Sequence, residues 1–113
     1  MAQLERPTVA RPERQELVTS IGDIRPQDHV LVTGVIRSKA ALSISGCPAC
    51  RYTLADRTGE VDLLFLGRVL IAGLETGVTC IAEGRAAARD GSVVIWNPRY
   101  EVVAAAPSGG DTL

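Results

Sequence analysis

The chain has 113 residues with a formal net charge of −1, and 46% of its residues are hydrophobic. This length fits one domain, and the composition allows a buried core while excluding an acidic disordered chain or a polybasic strip. No apolar run approaches the roughly 20 residues of a membrane-spanning helix, and the N-terminal region lacks the apolar centre of a signal peptide. We therefore expect a soluble cytoplasmic protein with no membrane partner.

Both ends of the chain look loosely structured. Residues 1–18 contain two prolines and alternating charges without a sustained apolar period, which predicts a flexible arm with at most one helical turn. Residues 104–113 are small and polar, which predicts a disordered tail. The structured domain is expected to span residues 19–103.

The first predicted strand is His29–Arg37, which is β-branched and apolar on both faces. Gly34 lies in its middle, and Gly84 lies in the middle of a later predicted strand, Val78–Arg89. An interior glycine weakens a strand unless the sheet bends sharply there. We therefore expect both glycines to curl the sheet, as a small barrel requires.

The second and third predicted strands form a hairpin. Arg51–Ala55 runs into the tight-turn residues 56–59 (Asp-Arg-Thr-Gly), and Glu60–Leu66 follows. Alternation in the third strand puts Phe65 in phase with apolar neighbours, which predicts a core position.

The second half of the chain adds a helix and two further strands. Gly67–Leu74 is long enough for two helical turns, and a glycine shortly after it ends the segment. Val78–Arg89 is the fourth predicted strand, and Asp90-Gly91 is the strongest short hairpin signal in the chain. The fifth strand, Ser92–Trp96, is followed by a break, after which Arg99–Val103 is extended again.

The resulting order is three strands, one short helix and two strands. This layout is typical of the OB-fold, an all-β Greek-key barrel of five strands with a helix between the third and fourth. An SH3-like barrel is the rival architecture, but it has no helix at that position. The sequence therefore predicts an OB-fold barrel.

Several segments also resemble known OB-folds. IGDIRPQDHVLVTGVIRS, LADRTGEVDLLFLG and EGRAAARDGSVVIWNP are similar to the group that includes the wedge domain of RecG-type helicases and anticodon-binding domains of some tRNA synthetases. FLGRVLIAGLETG and WNPRYEV more narrowly resemble a small single-domain actinobacterial family of nucleic-acid-binding OB-folds. The resemblance covers roughly residues 19–103 and implies nucleic-acid binding.

A surface that binds single strands needs aromatic faces for stacking and cations that contact phosphates. OB-folds place them on the second and third strands and in the loops between strands one and two and between strands four and five. The candidates at these places are Arg37, Lys39, Arg51, Tyr52, Arg85, Arg89, Trp96 and Arg99. Between residues 37 and 99 there are eight basic and six acidic residues. This small surplus predicts weak, salt-dependent binding of single-stranded DNA, ahead of RNA, with a logarithmic salt slope of roughly −3 to −4 for four or five phosphate contacts.

Other interpretations of the same residues stay open. The basic side chains are eleven arginines and the single lysine Lys39, a bias that suits phosphate binding but that a GC-rich genome also produces. Alternation places Trp96 on the outer face, where it is either a stacking platform or ordinary packing. Near-neutral charge and only four aromatic residues favour the alternative of a protein-interaction module that uses the groove or a strand edge.

The pair Cys47-x-x-Cys50 is the only metal-like motif. A zinc site within one chain would need Cys80 and His29 as further ligands, but both lie in predicted strands without suitable spacing. Two chains sharing their pairs across a homodimer axis would complete a four-sulfur site. Two reduced thiols in a loop are the favoured interpretation, with Cys80 as an inert core residue.

No residue pattern indicates catalysis. His29 is the only histidine, which removes most acid–base and triad schemes. No glycine-rich phosphate loop with its lysine is present. We therefore expect a binding protein, without enzymatic activity and without a cofactor.

Overall fold

The computed structural model describes residues 17–104. Most of the predicted arm and tail lies outside these residues. The described part is a six-stranded sheet preceded by a 3-10 turn at Ile21–Asp23, and it contains no helix long and apolar enough to cross a membrane. The strands are β1 (His29–Ile44), β2 (Cys47–Asp56), β3 (Gly59–Leu66), β4 (Thr79–Arg89), β5 (Ser92–Trp96) and β6 (Arg99–Ala104).

The sheet closes because β1 has two neighbours along its length. Residues 29–35 pair with β4, residues 35–44 pair with β2, and Val35 takes part in both pairings. The chain of contacts runs from β1 through β2, β3, β5 and β4 back to β1, and only β3 and β5 are parallel. Five strands in this Greek-key order form an OB-fold barrel, which confirms the predicted fold.

Gly34 lies where β1 passes from one partner strand to the other, and Gly84 lies in β4. A Cβ atom at Gly34 would collide with the carbonyl oxygen of Ala55. A Cβ atom at Gly84 would lie 2.7 Å from the Ile95 Cγ2 atom. Both strands therefore approach a neighbour too closely for a side chain at these positions. That the two glycines curl the barrel stays a prediction.

The core follows from strand alternation. Even-numbered residues of β1 and β4 and odd-numbered residues of β3 point inward, so a single apolar interior forms between the strands. Phe65 and Cys80 are buried there, as the sequence predicts. Fully buried members with the largest side chains are Tyr52, Ile36, Leu54, Leu63, Ile71, Leu74 and Ile95.

The first two strands are much longer than the sequence predicts. β1 continues past Arg37 to Ile44, and β2 begins at Cys47 instead of Arg51. Ser45-Gly46 joins them, with φ values of 52° and 79° that suit a two-residue hairpin turn. The expected loop between strands one and two is therefore a hairpin arm that extends the barrel wall.

The predicted helix over Gly67–Leu74 is wrong. This segment consists of turns, and Gly73 has a φ of 88°, which an α-helix does not allow. Ile71 and Leu74 are buried, whereas residues 68–70 between Gly67 and Ile71 are exposed. The buried side chains of Ile71 and Leu74 thus close this end of the barrel without a helix. A hydrogen bond from the Leu74 N–H to the Ile71 carbonyl (3.1 Å) joins the two residues.

β6 is a strand in its own right. The sequence suggested only that the chain is extended again after Trp96, but Arg99–Ala104 forms its own antiparallel ladder with β4. Asn97, with a φ of 48°, turns the chain between β5 and β6. β4 consequently carries β5 and β6 one after the other along one side.

Candidate nucleic-acid interface

A groove lies on the outer surface of the barrel where β4, β5 and β6 meet. Its volume is about 530 Å³. The lining residues are His29, Glu83, Gly84, Arg85, Trp96, Asn97 and Arg99. Three of the predicted binding residues therefore line the same groove although they come from three strands: Arg85 from β4, Trp96 from β5 and Arg99 from β6.

Strand register explains this meeting. His29 of β1 is directly opposite Arg85 of β4, and both point outward. The last paired residues of β4 and β5 are Ala86 and Ile95, so Arg85 and Trp96 lie side by side just beyond them. Alternation then places Trp96 on the outer face, as the sequence predicts.

Outward positions of the neighbouring strands line up with the groove. Leu64 of β3 is opposite Trp96 in the parallel pairing and opposite Arg51 of β2 in the antiparallel pairing. Arg51 and Trp96 are therefore two strand spacings apart, or about 10 Å. An outward row thus runs from Arg51 past Leu64 to Trp96, but Leu64 is 0% exposed, so the row is covered between its two ends and Arg51 does not line the groove.

The groove carries a surplus of positive charge. Glu83 is its only carboxylate, and its Oε2 atom lies 3.1 Å from the His29 Nε2 atom. Arg85 donates a hydrogen bond from Nη1 to the Gln27 carbonyl (2.7 Å), which positions its guanidinium beside the groove. Within residues 17–104, the side chain of Arg99 has no hydrogen-bond or ion-pair partner, so its charge is available to a ligand.

Asn97 fixes the turn beneath Trp96, and sequence reasoning missed it. Its backbone N–H donates to the Leu64 carbonyl (2.6 Å), while its side-chain Oδ1 accepts from the Leu66 N–H (3.0 Å). These two bonds continue the pairing between β3 and β5 past its last residue. Asn before Pro98 is a known turn signal, so the sequence contained a hint of this role.

Besides Arg51 and Tyr52, three of the predicted binding residues lie outside the groove. Arg37 and Lys39 are exposed on the hairpin arm. Lys39 Nζ is 2.8 Å from Glu75 Oε1, and this hydrogen bond raises the pKa of Lys39. Arg89 lies at the turn between β4 and β5, where its Nη1 is 3.7 Å from Asp90 Oδ2.

The prediction of Tyr52 as a stacking residue is wrong. Its side chain is 1% exposed, and its hydroxyl accepts a hydrogen bond from the Ile71 N–H (2.9 Å). Its ring packs edge-on against Phe65, with the centroids 6.0 Å apart. Tyr52 is one residue from the outward Arg51, so alternation sends its ring into the core.

The cysteines lie on strands rather than in a loop. Cys50 is buried, and burial raises the pKa of its thiol, whereas Cys47 is only half-buried. Cysteines three residues apart on a strand point to opposite faces, so they do not form a joint ligand pair. Burial also raises the pKa of the Cys80 thiol to about 11. No cluster of three metal-ligating side chains occurs between residues 17 and 104.

Among known proteins, only solved structures are similar to this chain, and the similarity is one of fold. No family model and no curated protein matches this sequence. Solved OB domains superimpose on this chain over most of their own length, so the chain has the OB-fold. The sequence identities are too low to show more than the fold.

Three solved structures illustrate this similarity. A domain of replication protein A from Methanococcus maripaludis has 12% identity and a TM-score of 0.64 over 77% of this chain and 96% of that chain. The replication factor A related protein from Methanobacterium thermoautotrophicum has 15% identity and a TM-score of 0.62 over 76% and 90%. The OB domain of Ta0387 from Thermoplasma acidophilum has 19% identity and a TM-score of 0.58 over 76% and 86%.

Proposed function

We propose that this protein is a single-stranded nucleic-acid-binding module whose binding is weak and salt-dependent, with DNA bound ahead of RNA. The observation that carries the proposal is the groove that Trp96 lines together with Arg85 and Arg99. The names of two similar structures, replication protein A and a replication factor A related protein, support the same class of ligand.

The groove offers the two interactions that sequence-tolerant binding requires. The indole of Trp96 supplies a face for one base, and such stacking contributes about 1–3 kcal/mol. Arg85, Arg99 and the neighbouring Arg51 supply cations for phosphates on either side of that base. Arginine suits this task because its planar guanidinium forms two parallel hydrogen bonds with a phosphate.

The expected salt dependence follows from these cations. Each phosphate contact on a single strand changes the slope of log affinity against log salt by about −0.7, so three contacts give roughly −2. The slope is smaller than the roughly −3 to −4 that four or five phosphate contacts would give. Lys39 is paired, and the other hairpin and turn cations lie outside the groove.

Trp96 itself reports on binding because it is the only tryptophan of the chain. We expect oligonucleotides to quench its fluorescence at low salt, and the quenching to disappear as salt rises. Matched deoxyribo- and ribo-oligonucleotides test the order of preference. Absence of quenching and of any anisotropy change of a labelled oligonucleotide at micromolar protein would exclude this function.

Two variants with the same loss of charge locate the site. Arg85→Ala removes a groove cation, and Arg57→Ala removes an exposed cation from the turn between β2 and β3. We expect only Arg85→Ala to weaken binding and to reduce the salt slope by about 0.7. Trp96→Ala, measured by anisotropy, should weaken binding about 10- to 100-fold. Equal effects of the two arginine variants would place the site elsewhere.

A further inference from the structure

Two residues that line the groove take no part in stacking on Trp96 or in the proposed phosphate contacts. His29 and Glu83 lie on the paired strands β1 and β4, and the His29 Nε2 atom is 3.1 Å from the Glu83 Oε2 atom. Both side chains are open to solvent, with exposed fractions of 60% and 41%. The imidazole of His29 therefore exchanges protons with the solvent while it lines the groove.

The charged groups around His29 come from three parts of the chain. β4 contributes Glu83 and also Arg85, which is directly opposite His29 in the ladder between β1 and β4. β6 contributes Arg99, which is opposite Glu83 in the ladder between β4 and β6. The turn before β1 also carries two charged residues, but neither lines the groove; these are Arg25 and Asp28.

The protonation state of His29 sets the net charge of the groove. Histidine is the side chain whose charge ordinarily changes between about pH 5 and pH 8. With a neutral imidazole, Arg85 and Arg99 against Glu83 leave a surplus of one positive charge. Protonation of the imidazole raises this surplus to two.

The position of Glu83 gives the proton a second effect. A carboxylate that lines a phosphate-binding groove repels the ligand, because like charges disfavour each other across an interface. An imidazolium at the observed distance forms an ion pair with Glu83 and offsets this repulsion. A neutral imidazole at the same place leaves the negative charge of Glu83 in the groove.

We propose that nucleic-acid binding in the groove is coupled to protonation of His29, so that single strands bind more tightly in mildly acidic than in mildly alkaline solution. This coupling rests on the proposed function, since it regulates the same site. It is reciprocal: a bound strand favours the protonated imidazole by the same factor by which protonation favours the bound strand. Binding at intermediate pH therefore takes up protons.

The expected size of the effect follows from the salt relation. One further phosphate contact on a single strand changes the logarithmic salt slope by about −0.7, which corresponds to roughly eightfold in affinity at about 50 mM salt. Because His29 is exposed, the solvent screens part of this gain. We expect affinity to rise about three- to eightfold from pH 8 to about pH 5.5, with a steeper salt slope at the lower pH.

Anisotropy of a labelled oligothymidylate, measured at both pH values with a dye that does not titrate between them, tests the coupling. Thymine does not exchange a proton in this range, so the ligand itself stays unchanged. His29→Gln removes the only histidine of the chain and keeps every other titratable group. The variant should bind like the wild type at about pH 8 and should lose the gain at about pH 5.5. Calorimetry near pH 6 in two buffers of different ionisation enthalpy should detect proton uptake by the wild type and not by the variant.

Glu83→Gln tests the other member of the pair. It removes the repelling carboxylate at every pH, so affinity at about pH 8 should rise about three- to eightfold and the difference between the two pH values should shrink. Glu60→Gln is the matched control, because Glu60 is an exposed carboxylate of β3 that does not line the groove, and it should leave affinity and pH response unchanged. Circular dichroism of each variant checks that the barrel is folded.

The outcomes separate this coupling from the proposed function. Binding of equal strength at both pH values, or a pH response that persists in His29→Gln, overturns the coupling and leaves nucleic-acid binding intact. Absence of binding at both pH values excludes the proposed function, and the coupling with it. Loss of the pH response in His29→Gln, together with proton uptake by the wild type, establishes that His29 regulates the groove.

Discussion

The hairpin arm of β1 and β2 and the groove of β4, β5 and β6 differ in how they use similar residues. Each region has basic side chains and an aromatic residue in the sequence, and both were expected to bind a ligand. In the first region the aromatic Tyr52 is buried and Lys39 is paired with Glu75. In the second, Trp96 is on the outer face and lines one groove together with Arg85 and Arg99.

The difference shows that strand phase, more than residue type, decides which side chains a ligand can reach. Arg51 and Tyr52 are neighbours in sequence, yet one lies on the outside of the barrel and the other inside it. Trp96, which is half-buried, lines the groove because it occupies the outward phase of β5. Loss of Tyr52 should therefore affect stability, and loss of Trp96 should affect binding.

The largest expected effect is at Tyr52. Tyr52→Ala leaves a cavity beside Phe65 and should lower the free energy of unfolding by about 3–5 kcal/mol. Tyr52→Phe keeps the ring and leaves the buried Ile71 N–H without its acceptor, which should cost about 1–3 kcal/mol. Denaturant unfolding measures both.

Tyr52→Phe also tests whether the hairpin arm and the groove differ in ligand binding. Because Tyr52→Phe keeps the barrel packed, oligonucleotide affinity of the folded variant should equal that of the wild type. Weakened binding with unchanged stability would show that the hydroxyl contacts the ligand and that the two regions do not differ as described.

A smaller effect is expected at Gly84, which lines the groove and packs closely against Ile95. The added Cβ of Gly84→Ala would press on Ile95, the residue before Trp96, and should lower the free energy of unfolding by about 1–3 kcal/mol. Because Ile95 would have to shift, the emission of Trp96 should change as well. Gly46→Ala is the control: its added Cβ meets open space, and although its φ of 79° makes the substitution locally strained, the turn does not contact Ile95, so the emission should stay unchanged.

Much of the fold could be predicted from the sequence because its signals are local. Alternation, the Asp90-Gly91 turn and the mid-strand glycines identify the β3, β4 and β5 strands within one residue. The hairpin arm was missed because its small side chains do not alternate clearly, and the helix was wrong because Gly73 takes a positive φ.

The candidate site could be predicted only in part. Residue type suggested Arg85, Trp96 and Arg99, but their meeting depends on the register between strands, which no local pattern fixes. Tyr52 was misplaced because the predicted second strand began at Arg51, which made it look like a strand end beside a loop. Asn97 was missed because its hydrogen bond to Leu66 joins residues far apart in the chain.

Asp56 fixes the turn that sets the register of β2 and β3, and hence which of Arg51 and Tyr52 faces outward. Its carboxylate accepts hydrogen bonds from the N–H groups of Ile21, Thr58 and Gly59. Burial acts to raise the pKa of Asp56, but these hydrogen bonds outweigh it and lower the pKa below the ordinary value of 3.8. The charged form is therefore favoured in the folded state.

Asp56→Ala should lower the free energy of unfolding at neutral pH by about 1–2 kcal/mol. Since the folded pKa is lowered, the contribution is complete above the unfolded pKa and is lost as pH falls through the folded pKa. The difference between wild type and variant should therefore shrink below about pH 3.8. A difference that is constant down to strongly acidic pH would show that the carboxylate charge has no part in holding the turn.

The smallest effect is expected at Lys39, the one hairpin-arm cation with a defined partner. Its ammonium group already lies against Glu75 on the surface, and exposed ion pairs of this kind add little to stability. Lys39→Ala should change neither the unfolding midpoint nor the oligonucleotide affinity, whereas Arg51→Ala, on the outward row that leads to Trp96, should weaken binding. If Lys39→Ala instead reduced the salt slope as much as Arg51→Ala, the ligand would cross both regions, and the hairpin arm would have to be counted as part of the binding surface.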